Sequence, residues 1–425
     1  MFTDTILIGV AMAAVFLILR SVVKMPLTLA FILTAIVGTL AGRFGLPLRH
    51  LVEGMFGYFY LILILFTGAI LIQVVQESGT LDVIVRGFLA RFHRRPVLLL
   101  LMVAIMLFVA GMFTGFGGVA VLTAGVIVAP ILMRVGIPRV EAGAIIVMIS
   151  IYGMIAPPVN LPAILIAEGT NMPYSGFSLI LLAMTVPLAI FTILFLGLRS
   201  YTPSSVEAVL EGLPETHGRL RHLIPFIVIL LIMILVRVIP QYIPDPSIPL
   251  TLMIGALVAT MTGNRRINIF KATSAALKGP ALTLAGVLMG VGMMVQVMAL
   301  TGVRGLLVNV SMSLPIPWIY LAVAVSMPLL GGILTALGSA SVLGVPFGFA
   351  FIGGNTIVNA SALSLMAGLA ELVLPTAISG VLAAQVVGEN NYLKIWRRCW
   401  VPTVVTAIVA ILFIIFSVPL GRVLT

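Results

Sequence analysis

"ISIYGMIAPPVNLPAILIAEG", residues 149–169, opens and closes as a membrane-spanning helix would, yet its centre holds Pro157, Pro158 and Pro162 around Asn160. A proline inside a helix removes a hydrogen bond and clashes with the preceding turn. Hydrocarbon supplies no water to repair the loss. As one helix, residues 139–168 would measure about 45 Å at about 1.5 Å per residue. That is too long for a bilayer core of about 30 Å. The stretch therefore reads as two half-helices joined by "PPVN", interrupted where hydrocarbon leaves the backbone least able to recover. Unwound carbonyls at such a break suit a bare cation, and a half-helix N-terminus suits an anionic group. The plainer alternative is a proline kink patched by neighbouring helices.

The rest of the chain supplies the membrane. Of 425 residues, 61% are hydrophobic and 8% charged, far more apolar surface than a soluble core can bury. Its apolar runs are continuous, not alternating, which excludes a β-barrel. The reading is an all-α integral membrane protein, with spans near 5–23, 27–42, 54–76, 178–198, 223–238, 248–263, 280–300 and 400–420. "MFTDT" lacks a basic leader, so the first span is expected to remain uncleaved.

Charge placement gives the orientation. With "RGFLARFHRR" (86–95) in the cytoplasm, alternation puts eighteen of the 23 Lys and Arg inside. Arg43, Arg49, Arg237, Arg304 and Arg422 remain outside or near the outer face, as do both termini. The net charge of +11 thus reports topology, and no nucleic-acid partner is expected. The expected location is the cytoplasmic (inner) membrane of a bacterium or archaeon. A single cysteine, Cys399, excludes a disulfide framework. The four histidines fall in polar connections, and the 22 methionines show no paired spacing. Neither HExxH, GxSxG nor GxxxxGK[ST] occurs, so no enzyme chemistry and no cofactor are expected.

The chain reads as duplicated. "IQVVQESGTLDVIV" (72–85) sits opposite "VQVMALTGVRGLLV" (295–308), and "TGFGGVAVLTAGVIVAP" (114–130) opposite "LGGILTALGSASVLGVP" (330–346). "GMIAPP" (153–158) answers "AELVLP" (370–375). The organisation is N-terminal helices over 1–53, a first repeat over 54–199, a cytoplasmic linker over 200–222 and a second repeat over 223–425. Each repeat is expected to hold a re-entrant hairpin (97–133 and 317–352) and a broken helix (139–168 and 358–388). "FTGFGG" (113–118) and "GGILTALGS" (331–339) would form the hairpin tips, with glycines permitting the reversal. Two ordinary spans with flexible glycines are the alternative. Opposite entry faces make this an inverted repeat, the usual plan of secondary carriers. Glu371 is the one acid placed within the second half's membrane zone. It would hold a cation, carry a proton, or hydrate at the surface. Gln73 and Gln296 recur as structural braces.

At these four interruptions the chain resembles the large membrane subunit of TRAP transporters, within the wider ion-transporter superfamily. The resemblance covers nearly the whole chain and rests on "GFGGVAVLTAGVIVAP" (115–130), "GMIAPPVNLP" (153–162), "GGILTALGSASVLGVP" (331–346) and "GLAELVLPTA" (368–377). It implies sodium-coupled import of a small organic acid by an elevator-type movement. A small membrane subunit and an extracytoplasmic binding protein would assist. The first sodium site would comprise Gly115, Gly117, Gly118, Ala156, Pro157 and Asn160. The second would comprise Gly331, Gly332, Thr335, Leu374, Pro375 and Thr376. Substrate would meet Thr114, Asn160, Ser339 and Ser341. The chain departs from the family pattern in three places. "GFG" stands where Gly-Ser-Ser is usual, "PPV" replaces Pro-Pro-Ser, and Pro375 is single where prolines are paired. A self-sufficient carrier, a channel and a non-transporting assembly subunit are the competing expectations.

Overall fold

The computed structural model describes residues 2–80, 83, 95–201, 220–238, 244, 246–263, 265–278, 280–374 and 377–424. Most of the Arg-rich connection, most of the linker over 200–222, and both Pro375 and Thr376 lie outside the described residues. Among those described there is no strand, and seven helices are long and apolar enough to cross a membrane. The outward-facing side chains are themselves apolar, as on Leu7, Trp318, Leu321 and Ile408. Lipid, not water, is the medium such faces fit. The chain is a multi-pass, all-helical membrane protein.

The opening helices are α1 (Phe2–Leu17, prolonged by a π-turn Ile18–Val22), α2 (Leu27–Ala41), α3 (Leu48–Gly57) and α4 (Phe59–Glu77). Next come α5 (Pro96–Thr114) and α6 (Gly117–Arg134), then α7 (Arg139–Ile155) and α8 (Leu161–Gly169), and α9 (Phe177–Gly197). The second half holds α10 (Ile224–Val238), α11 (Ser247–Thr262), α12 (Ile269–Lys278), α13 (Pro280–Leu300) and α14 (Val303–Ser313). It continues as α15 (Pro317–Gly332), α16 (Leu334–Ala350), α17 (Thr356–Leu372) and α18 (Ile378–Val387). Helices α19 (Tyr392–Ile415) and α20 (Ser417–Leu424) close the chain.

Two bounds differ from the sequence reading. The span expected at 54–76 is divided at Tyr58, which leaves helical geometry at φ −107, ψ 21. The last span starts at Tyr392 and ends at Ile415, because Asn391 caps its first turn by accepting from the Leu393 N–H at 3.0 Å. Four short helices, α3, α12, α14 and α20, were not anticipated. On α3, Leu51 and Gly54 are buried while Leu48 and Phe56 are exposed. Such mixed faces fall below any span-length hydropathy signal and suit a membrane interface.

Two buried cores result. The smaller joins Met12 and Phe16 of α1 to Phe31 of α2, Leu51 of α3 and Val291 of α13. The larger joins α4 to α13 with α15 to α19 and includes the fully buried Tyr152, Phe113 and Phe116. Close backbone approach sets both. A Cβ on Gly153 of α7 would sit 2.5 Å from Phe108 O, and one on Gly111 of α5 would sit 2.7 Å from Gly153 C. In the smaller core, a Cβ on Gly54 would sit 2.7 Å from Gly292 O.

Candidate functional site

In the first half, α5 ends at Thr114 and the chain turns through Gly115, at φ +64, and the extended Phe116. A left-handed φ is open to glycine without strain. The Thr114 hydroxyl is 2.9 Å from Ala110 O and 3.2 Å from Phe116 O, so it stitches the turn to its own helix. The turn abuts the break in the next helix pair. Val159 N–H donates to Met112 O at 3.2 Å, and a Cβ on Gly115 would sit 2.6 Å from the Val159 side chain. Between α7 and α8, residues 156–160 are not helical and are fully buried, with Pro157–Pro158 joined by a cis peptide bond.

Asn160 closes that gap. Its Oδ1 accepts from Ala163 N–H at 2.9 Å, capping α8, while Nδ2 donates to Ile155 O at 2.8 Å and to Ser364 Oγ at 2.9 Å. Both amide hydrogens are thereby used. Ser364 lies on α17, so this side chain also ties the first break to the second half.

The second half is built with different chemistry. The turn there was expected to rest on glycines, but the residue with positive φ at the kink is Thr335, at φ 70, ψ 170. Gly331 and Gly332 stay helical and serve close approach. A Cβ on Gly331 would collide with Ala370, and one on Gly332 would sit 2.8 Å from Leu374 O. Turn again meets break. Ser339 spans the two arms by donating to Met327 O at 2.8 Å. Helix α17 ends in a 3-10 turn, Leu369–Leu372, and helical structure resumes at Ile378. Within the break Leu374 is exposed.

Glu371 occupies that 3-10 turn at 1% exposure. Its Oε2 accepts from Ser379 Oγ at 2.7 Å and from Ser379 N–H at 3.3 Å, and the Ala336 N–H of α16 is turned toward the carboxyl. The Ser379 hydroxyl in turn lies 2.7 Å from where a Cβ on Gly117 would stand. Both turns and both breaks are therefore in register around Ser379, Ser364 and Asn160. Of the expected sodium residues, Gly115, Gly117, Gly118, Ala156 and Pro157 are buried around the first junction, and Gly331, Gly332 and Thr335 around the second. Pro375 and Thr376 lie outside the described residues.

No family model matches the chain, and no curated protein aligns with it significantly.

Of the four expected substrate contacts, Thr114, Asn160 and Ser339 spend their hydrogen bonds within the fold. Ser341 lines a cavity of about 200 Å³ with Tyr58, Glu168, Gln296 and Arg304, and its Oγ is 2.6 Å from the Tyr58 hydroxyl. A second cavity of about 580 Å³ shares Glu168 and Arg304 and adds Asn171 and Asn309. A third, of about 520 Å³, runs from Tyr174, Ser175 and Ser178 past Glu168 to Pro158 of the first break. Glu168 borders all three. Arg304 donates to Gly169 O at 2.6 Å, joining α14 to the end of α8. Sequence reasoning counted Arg304 only as an outer charge and passed over Tyr58. Arg304 belongs to no interruption, and the break at Tyr58 carries no proline or glycine-rich signal, so only their spatial neighbours mark them.

Proposed function

We propose that the protein is a cation-coupled secondary transporter, using sodium, that imports a small organic acid by an elevator-type alternating-access movement. In this reading it is the large subunit of a TRAP-type system, with a small membrane subunit and an extracytoplasmic binding protein as partners. One observation supports the proposal: in each half a turn between helices, at Gly115 and at Thr335, packs directly against a break in a later helix, in an all-helical membrane protein. Unpaired backbone groups at membrane depth are tolerated where protein or a polar cavity surrounds them, and carriers place their ion and substrate sites at such points. Carbonyls near Gly115 and Pro157, and near Gly332 and Leu374, are the donors suited to a sodium ion. Hydroxyls and half-helix N-termini suit the acid. The smaller core, holding α1, α2, α3 and α13, would be the stationary body.

Uptake by purified chain in proteoliposomes tests this. Organic acids that raise thermal stability only with sodium would be the substrates tried. Saturable uptake that collapses without a sodium gradient is expected, restored by the two partner proteins if the chain alone is inert. Non-saturating flux would replace the carrier with a channel. Inertness even with both partners would leave an assembly subunit.

A further inference from the structure

We infer that Glu371 is a coupling group in its own right, binding a proton at Oε1 in one stage of the transport cycle and releasing it in another. The cycle rests on the transporter reading above; the proton site rests on local geometry. Glu371 is 1% exposed, and Oε1 has no hydrogen-bond partner. Among the described residues no Lys, Arg or His contributes to its electrostatic surroundings. Among the described residues the hydrogen bonds to the carboxyl come from donors, the Ser379 hydroxyl and the Ser379 N–H, and the Ala336 N–H is turned toward it. A metal ion needs acceptors, and none of these three groups turns an acceptor toward it. A proton needs only the vacant oxygen. Once protonated, the carboxyl still accepts from Ser379 through Oε2, and the unpaired buried charge is gone.

Other titratable groups are few. Helix α15 brings Tyr320, α16, α17 and α18 bring none besides Glu371, and α7 brings Arg139, Glu141 and Tyr152. Glu141 is taken by Arg398 of α19 at 3.0 Å. Helix α19 also brings Tyr392, Lys394, Arg397 and Cys399, of which Tyr392 feels the Glu371 charge and donates to the adjacent Leu372 O. Among the described residues nothing cationic offsets the carboxylate.

The same contacts tie the proton to movement. Ala336 directly follows Thr335, where the helix kinks, and Ser379 packs against Gly117 beside the Gly115 turn. Displacing either turn changes how many donors face the carboxyl, and hydrogen bonds to the charged form govern its proton affinity. The linkage is reciprocal, so protonation must bias the turns equally.

Infrared difference spectroscopy on purified protein, acid minus alkaline over about pH 5 to 9, reads this directly with the proton as the only ligand. Expected is a carboxylic-acid C=O band present in the wild type and absent in Glu371→Gln. If Glu371→Gln does not fold, Ser379→Ala should move the band's midpoint by about one pH unit, the effect of one lost hydrogen bond of about 1.4 kcal/mol. Identical spectra for wild type and Glu371→Gln, or an unmoved midpoint in Ser379→Ala, would overturn the proton site. Sodium-driven uptake is followed in parallel. A Glu371 band in a chain without uptake removes the transporter reading and the cycle with it. Uptake that is unaffected by pH, beside a missing band, removes Glu371 alone.

Discussion

Asn160 and Glu371 each close a gap in a helix by accepting a hydrogen bond from the first turn of the segment that follows, at Ala163 and Ser379 respectively. They differ in charge and in what remains. The amide has both hydrogens committed, to Ile155 O and Ser364 Oγ, and carries no charge to neutralise. The carboxyl keeps one oxygen without a partner. A neutral, saturated brace fixes a break permanently, whereas an ionisable one with spare capacity leaves it responsive. On the proton-site proposal, the first gap is held by a saturated brace and the second by one that keeps spare capacity.

Exchanging the chemistry is the strongest way to break that comparison. Asn160→Asp removes two donors and buries a charge beside Ile155 O, and should lower stability by about 3 kcal/mol. Thermal unfolding in detergent measures it, and an unchanged melting temperature would mean the first break tolerates charge as the second does. Next in size, Gly153→Ala should cost about 2 kcal/mol, because the new methyl meets the Phe108 carbonyl and neither backbone can yield. The same assay, with loss of monodisperse protein, reads it. Ser364→Ala leaves an Asn160 hydrogen buried without a partner, and about 1.5 kcal/mol is expected. Glu371→Gln, the mirror of the first exchange, keeps an acceptor for Ser379 and should change stability by less than about 1 kcal/mol near neutral pH. A large loss there would make Glu371 a fixed cap, and the contrast between the halves would disappear.

Much of this was legible before any coordinates. Prolines at 157, 158 and 162 placed the first break, and Gly115 placed the end of α5, because those residues change the backbone itself. Apolar length placed most spans. Side-chain saturation was not legible. That Thr114, Asn160 and Ser339 would turn inward depends on which carbonyls lie within reach, and sequence spacing does not give that. Glu371 was visible as an odd acid, but its partner Ser379 is eight residues away across a break of unknown shape. The short helices at interfaces were missed because their apolar faces are too narrow for a span-length window.

Thr335 ends the comparison on its own terms. A β-branched residue at positive φ stores strain on the order of 1–3 kcal/mol that glycine in its place would not. Gly338 lies only three positions on, so a gentler loop was within easy reach of the sequence. A bend so constrained samples few shapes, and it meets its neighbour already formed.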